Sequence, residues 1–518
     1  MRARYHGEPL AQAELKSLPK AIAGAKPTFN FMFGTLTDNP TNRVPEGRAT
    51  IDALRALGIA MANDPSNTES KIPAAYTYFG QFIDHDITKT LFDESLQPPT
   101  GSDPIDHDTF LPISRGDVTA LIRNARTASL DLDSVFRGLA ESTVQPDGTM
   151  ALGKVSAAPF GTIATADKDH DLPRRPMIQN PTTLEEQEAD RQALIGDPRN
   201  DENLIVAQTH VGFIRAFNAK VRSGLSAADA ETAIRRRYQW AVLHDFLPRI
   251  GHKPTVDDVL MNGPQAWIVN TADELFIPIE FAAAAYRFGH SMIRGAYTHN
   301  STFDPAPFNF FFTFTALSGD LSPSNGPDFE FATLPDNWII EWHRFFSSTA
   351  QPESMNPARR IDANLTPELG LLRDFQGMPI ANIMAHLAAR NLLRGYLLGL
   401  PTGQAVAKRL GLPVLPLEVL RSATPTGIGQ SIENAGLLEQ TPLWFYILTE
   451  AGDPAGADGQ CLGPVGTRIV AETLWNLARH ATDSVIQSPP SQAELESGEF
   501  TLKGIIKLGL DSKLSPIE

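Results

Sequence analysis

Apolar residues in this chain recur at three- and four-residue steps, and that periodicity restricts the fold more than any other feature. Leu204, Ala207, Val211, Ile214 and Phe217 mark it between Asp201 and Val221. Ser226 to Ile250 opens on Ser, Ala and Asp residues suited to a helix start and continues through Tyr238, Val242 and Phe246. Ile383 to Leu398 and Ile469 to Val485 read the same way. Alternating strand patterns with tight hairpin turns are scarce. The pattern predicts a mainly α-helical protein: one large helical domain with long loops and little β structure. The loops are expected near Gln97–Asp117, Gln145–Asp171 and Phe303–Pro335. No internal repeat and no clean linker divides the chain. Residues 1–70, rich in Pro, Asn and Gly, read as an N-terminal arm packing on the core, 71–489 as the domain, and 490–518 as a charged, weakly patterned tail.

Composition narrows the function classes. With 518 residues, 42% hydrophobic and 20% charged, the chain can bury a sizeable core and needs no disulfide or metal merely to fold. It carries 44 Lys+Arg against 60 Asp+Glu, a net charge of −16. Its dense basic run, Arg235-Arg236-Arg237, lies in a helical pattern and is too short to track a phosphate backbone. Nucleic acid and anionic membrane are therefore poor candidates for the main partner. One cysteine, Cys461, rules out an intrachain disulfide, a Cys-based zinc site and C-x-x-C-H haem attachment. The N-terminal residues lead into Glu8-Pro9 rather than an apolar run, so no signal peptide is visible. A cytoplasmic location or export by a non-classical route is expected. Apolar stretches such as Phe308 to Leu317 are far short of a membrane span.

Four segments carry chemistry. In Tyr78-Phe-Gly-Gln-Phe-Ile-Asp-His-Asp-Ile-Thr88, a helix would put Gln81, Asp84 and His85 on one face at i, i+3 and i+4, with Asp86 pointing elsewhere. His85 then suits a proton shuttle, since its ordinary pKa is near neutrality. The same residues also read as a helix terminus with a hydrogen-bonded core histidine. Gly196-Asp-Pro-Arg-Asn-Asp-Glu-Asn203 looks like a helix start, with Arg199 just outside and Glu202 in the first turn, facing one site or forming a local ion pair. Tyr286-Arg-Phe-Gly-His-Ser291 sets His290 after a glycine that permits close backbone approach, with Arg287 one turn away. Its plainer reading is a buried, hydrogen-bonded histidine. Ala389-Arg-Asn-Leu-Leu-Arg-Gly395 puts Asn391 and Arg394 on one helix face. Other signatures fail. Gly289 to Ile293 lacks the second glycine of a nucleophile elbow, Gly427 to Ile432 lacks the third of a dinucleotide loop, and no H-E-x-x-H occurs.

Taken together, these segments resemble the animal haem peroxidase family of the peroxidase–cyclooxygenase superfamily, and bacterial, myeloperoxidase-like members most closely. Gly80 to Asp86 matches the family's Gly-Gln-x-x-Asp-His-Asp. Pro198 to His210, His244 to Ile250 and Leu462 to Gly466 match further runs, in order from about residue 70 to 485. The resemblance implies one mostly α-helical domain around haem b or an ester-linked derivative. His85 would be the distal histidine, Gln81 its neighbour over the iron and Arg199 the distal arginine. His290 would be the iron ligand, and Asn391 would accept a hydrogen bond from its other ring nitrogen. Arg287 and Arg394 would lie near the propionates. Asp84 and Glu202 match carboxylates that become esterified to haem methyls, and Asn203 stands where a sulfonium-forming methionine would be.

The implied activity is a haem peroxidase. It would reduce hydrogen peroxide through His85 and Arg199 and oxidise a small donor (halide, pseudohalide or phenol) through a ferryl haem. A fatty-acid oxygenase of the same superfamily is the rival, but Ile340-Glu-Trp-His343 has Ile where the radical-forming tyrosine belongs. A haem-free binding protein retaining the fold is the second rival. The resemblance further implies one calcium ion on Asp86, Thr127, Ser129 (through its carbonyl), Asp131 and Asp133. An acidic solvated loop is the alternative there. Clustered oxygens suit a hard cation, but Val135 and Phe136 exclude an EF-hand, and Phe136-Arg137 replaces the family's Tyr-Gly.

Overall fold

The computed structural model describes residues 28–515, except residues 65, 67, 93–109, 141–142, 158–166, 180–181, 304, 313–314, 316–332, 347–355, 371–382 and 384–385. Parts of all three expected loops lie outside the described residues. Within the described part of the first, Arg115–Leu121 is a short helix, N-capped by Ser114.

Helices build the core. The principal ones are α1 (Arg48–Met61), α2 (Ala75–Ile87), α3 (Leu204–Arg222), α4 (Ala227–Ala241), α5 (Leu387–Leu397), α6 (Leu443–Gly452), α7 (Pro464–Arg479) and α8 (Leu502–Gly509). Strands among the described residues are short and pair in twos. Phe29–Asn30 runs parallel to Ile277–Pro278. Glu69–Pro73, Thr90–Phe92 and Ala296–Tyr297 pair antiparallel with Pro357–Arg359, Ile122–Asn124 and Ala306–Pro307. The mainly α expectation holds.

Local chemistry sets the ends of these helices. Ser226 caps α4 by accepting from the Asp229 amide at 3.1 Å. The buried Glu450 accepts from the amides of Val465 and Gly466 at the start of α7. The sequence predicts one helix across 226–250, but the observed helix widens to a π turn over Val242–Phe246 before Leu247–Ile250. Pro248 explains it, because a proline lacks the amide that an unbroken α-helix would use there.

The described residues of both terminal regions include helix. α1 lies inside the proline-rich N-terminal stretch and packs on α5, where a side chain at Gly58 would meet the Ala389 backbone at 2.2 Å. That contact seats the helix carrying Asn391. The tail forms α8, which buries Leu502, Ile505 and Ile506 against α3. Its apolar stripe is only eight residues long, too short to stand out in a charged tail.

Candidate active site

α2 supplies the first wall. Phe79 and Phe82 pack on Phe213 of α3 and Tyr238 of α4, with Phe82 and Phe213 stacked at 4.7 Å. This apolar anchorage leaves Gln81, Asp84 and His85 on the expected common face. His85 is wholly buried, and its Nδ1 lies 2.8 Å from Oδ1 of Asn200. Asn200 belongs to a 3₁₀ turn, Pro198–Asp201, capped by Asp197. The other end of its amide lies 2.9 Å from Nδ1 of His210 in α3. Gln81 donates to Glu202 Oε1 and accepts from Asn203 Nδ2 at 3.1 Å, while Asn203 caps α3. Residues 197–203 thus clamp α2 before entering α3.

Arg199 is the centre of the clamp. Its Nη2 donates to the carbonyls of His85 (3.0 Å) and Thr88 (2.5 Å) at the end of α2, and to Asp197 at 2.8 Å. Asp197 is wholly buried and also accepts from Arg126 Nε at 2.9 Å. Burial alone would raise its carboxyl, but Arg199 and Arg126 outweigh that and hold it well below the usual range.

Burial pushes His85 down to about 3, and the Arg199 charge acts in the same direction. His85 is therefore neutral at ordinary pH. Burial raises the neighbouring carboxyls instead: Glu202 goes up to about 8 despite Arg199 and Gln81, and Asp84 rises despite Arg199 and Arg287. Asp84 feels an arginine from each wall, so it sits where the two walls meet.

The second wall is a 3₁₀ helix, Ala285–His290, packed against α2, α6 and α7. Trp444 of α6 anchors it by donating to the Arg287 carbonyl at 3.2 Å. His290 is buried, and its Nδ1 lies 2.8 Å from Asn391 of α5. The orientation differs from expectation. Asn391 presents its amide nitrogen to His290, because its Oδ1 accepts from Arg287 Nη1 at 3.2 Å. Arg287 is further held by the Ala282 carbonyl at 3.0 Å. Arg394 lies one turn beyond Asn391 and is partly buried. Two buried histidines, each tied through Nδ1 to an asparagine, thus stand on adjoining walls; the amide oxygen facing His85 leaves its Nε2 unprotonated, whereas the amide nitrogen facing His290 leaves the proton on its Nε2.

The animal haem peroxidase family model matches residues 43–417. The chain belongs to the animal haem peroxidase family. Among solved structures, peroxidase A from Dictyostelium discoideum superposes with a TM-score of 0.58 at 17% identity, covering 90% of this chain and 89% of that one. The fatty acid alpha-dioxygenase of Oryza sativa gives 0.53 at 13% identity, covering 95% and 81%. That of Arabidopsis thaliana gives 0.52 at 12%, covering 95% and 79%. No curated protein sequence matches the chain. These likenesses show the mainly helical peroxidase fold.

The family implies haem, and the space and the cation beside His290 fit one, whereas the Asn391 amide faces His290 with its nitrogen rather than its oxygen. A Cβ at Gly289 would meet nothing within 4 Å, although Phe288 and His290 on either side are buried. Open space therefore borders the turn that carries the axial candidate. Half-buried Arg287 supplies a planar cation of the kind that suits a propionate. Among the described residues no helix is long and apolar enough to cross a membrane.

The expected calcium set is only partly gathered. Asp86 is wholly buried and accepts from the amides of Leu132 and Ser134, both at 3.1 Å. Thr127 donates to Asp133 at 2.5 Å, and the Ser129 hydroxyl is buried without a partner. Burial, with Asp133 adding to it, pushes Asp86 up to about 7. Asp131 turns away: its carboxylate accepts from the Thr482 amide at 2.7 Å and its carbonyl from Arg235. Among the described residues no three carboxylate, imidazole or thiol groups stand together as a metal would need.

Several site residues escape the sequence reading. Asp197 locks Arg199, Asn200 ties His85 to His210, and Arg126 and Arg390 add buried charge near the two walls. Asp197 before Pro198 carries a cap signal. His210 ends the run Pro198 to His210, but nothing in that run announces its pairing with Asn200.

Proposed function

We propose that this protein is a haem peroxidase that reduces hydrogen peroxide and oxidises a small donor, whether halide, pseudohalide or phenol. The observation that supports this most is His85 itself: buried, neutral at ordinary pH, tied at Nδ1, with the Arg199 charge fixed beside it. Cleaving the O–O bond heterolytically requires a proton to pass from the inner oxygen to the outer one. His85 Nε2 takes that proton and returns it to the departing oxygen, which leaves as water. Arg199, kept in place by Asp197, stabilises the negative charge that develops there. Gln81, gripped by Glu202 and Asn203, orients peroxide beside His85. Haem would supply the two electrons that this cleavage consumes, which the donor then replaces, and would be held by His290 with Asn391 behind it and by Arg287 and Arg394 at the propionate edge.

The fatty-acid oxygenase reading draws on the fold alone. Where cyclooxygenases carry the tyrosine of a Tyr-x-Trp-His segment, the matching segment here holds Ile340, a wholly buried aliphatic residue, so that oxygenase chemistry would need another tyrosine. Steady-state turnover of peroxide by the haem-loaded protein, with chloride, bromide, thiocyanate and phenols in parallel, tests the proposal. Peroxide-independent oxygen uptake with palmitic acid and no donor oxidation would replace it by the oxygenase. Failure to develop a Soret band with added haem would leave only a binding role.

One calcium on Asp86 and the 127–133 loop belongs to the same reading. Two crowded carboxylates, Asp86 and Asp133, favour a cation, whereas Asp131 would have to leave Thr482. Calcium should raise Tm in the chelator-treated protein, and Asp86→Asn should abolish that rise.

A further inference from the structure

We propose that Asn200 and His210 are positioning residues for the distal base, forming a relay that holds His85 as its Nδ1–H tautomer and so keeps Nε2 unprotonated. The catalytic consequence rests on the peroxidase reading above; the geometry does not.

The relay is a sequence of complementary donors and acceptors. Asn200 Oδ1 lies 2.8 Å from His85 Nδ1, and an amide oxygen only accepts, so the proton sits on His85 Nδ1. Asn200 Nδ2 lies 2.9 Å from His210 Nδ1, and an amide nitrogen only donates, so His210 carries its proton on Nε2. A neutral imidazole has one proton and two nitrogens, and the hydrogen bond at one nitrogen decides the state of the other. Reversing the amide would put the His85 proton on Nε2 and remove the base. His210 is wholly buried, its ring meets Phe82 edge-on at 6.1 Å, and its Nε2 has no hydrogen-bond partner. Its polar contact is with Asn200, so the role left to it is to hold that amide. All three groups sit on regular elements: α2, the capped 3₁₀ turn and α3.

The test reads tautomers first and rates second. In the full-length chain labelled with ¹⁵N-histidine, before haem loading, long-range proton–nitrogen correlations should show His85 as Nδ1–H and His210 as Nε2–H. The resonances are assigned from their loss in His85→Gln and His210→Gln. Asn200→Asp keeps an acceptor toward both rings, so His85 should stay Nδ1–H while His210 switches to Nδ1–H. Asn200→Ala should release His85 from the fixed tautomer. In the haem-loaded protein, Asn200→Ala should then slow the reaction with peroxide about 100-fold, and Asn200→Asp should restore most of the rate. A wild-type His85 protonated on Nε2 would overturn the proposal, as would an Asn200→Ala variant with unchanged tautomer and rate. Should Asn200→Ala fail to fold, the wild-type and Asn200→Asp spectra still decide. If the tautomers are as expected but the wild-type protein ignores peroxide, the peroxidase reading falls and the relay stands.

Discussion

Arg287 Nη1 donates to Asn391 Oδ1 across 3.2 Å, and through that bond it decides which end of the amide faces His290. Arginine has no acceptor, so it pins the amide oxygen and leaves the amide nitrogen for His290 Nδ1. A histidine that ligates iron through Nε2 carries its proton on Nδ1 and wants an acceptor there. Arg287 and haem thus make opposite demands on one side chain, and a propionate that drew Arg287 away would let the amide reverse.

Haem affinity should respond accordingly. Asn391→Ala should weaken it about 10- to 100-fold, as loss of a partner behind a ligand does. His290→Ala should lose the native ferric spectrum altogether. Titration of each variant with hemin, followed by absorbance, measures both. An unchanged spectrum in His290→Ala would refute its assignment as the axial ligand.

Arg199 is expected to show two separable effects. Arg199→Ala removes the charge beside His85 and leaves Asp197 with Arg126, while the carbonyls of His85 and Thr88 lose their donor. Breaking a buried pair costs about 3–5 kcal/mol, so Tm should fall as well as the peroxide rate. His85→Ala should cut the rate further, by about 10²–10⁴-fold, with haem still bound. Stopped-flow mixing with peroxide and thermal unfolding of the same samples separate the two roles. A wild-type rate in either variant would remove the role given to that residue.

How much of this site is legible in the chain depends on whether a relationship is local. Gln81, Asp84 and His85 share a face because the helix period alone requires it, and Asn203 ahead of an apolar run announces a helix cap. The grip of Asn200 on both His85 and His210 joins residues 115 and 10 positions apart, and only the packing of α2 on α3 brings them together. The Asn391 orientation depends on an arginine 104 positions away, so no local pattern encodes it. The turn of Asp131 toward Thr482 is likewise tertiary, since nothing in the 127–133 loop indicates that a distant amide will take that carboxylate.

The pH response of the chain should carry opposite signs from neighbouring groups. His85 is lowered to about 3, so its neutral form favours the folded state above its ordinary value of 6.5, and that contribution is lost as pH falls from there toward 3. Glu202 is raised to about 8, so its contribution is full below its ordinary 4.5 and is lost as pH rises through 8. Glu202→Gln cannot ionise and should lose less stability than wild type between pH 5 and pH 9. Thermal unfolding of both proteins across that range checks the sign. Parallel curves would mean that Glu202 titrates normally.

The same raised carboxyls bear on how haem is retained. Burial keeps Glu202 and Asp84 inclined to the neutral acid, and Asp84 lies where the two walls meet, near both Arg199 and Arg287. In related enzymes, matching carboxylates become esterified to haem methyl groups through oxidation driven by the haem itself. Here Asn203 supplies no sulfur, and its amide is already committed to Gln81, so a sulfonium link is not expected. After exposure of the haem-loaded protein to peroxide, up to two ester bonds should form. Haem should then resist acid–acetone extraction and appear on the peptides containing Asp84 and Glu202 by mass spectrometry. Glu202→Gln and Asp84→Asn should each remove one attachment and leave the other. If all haem extracts freely from the peroxide-treated wild type, both acids serve only as hydrogen-bonding groups, and the part played by Glu202 reduces to holding Gln81 over His85.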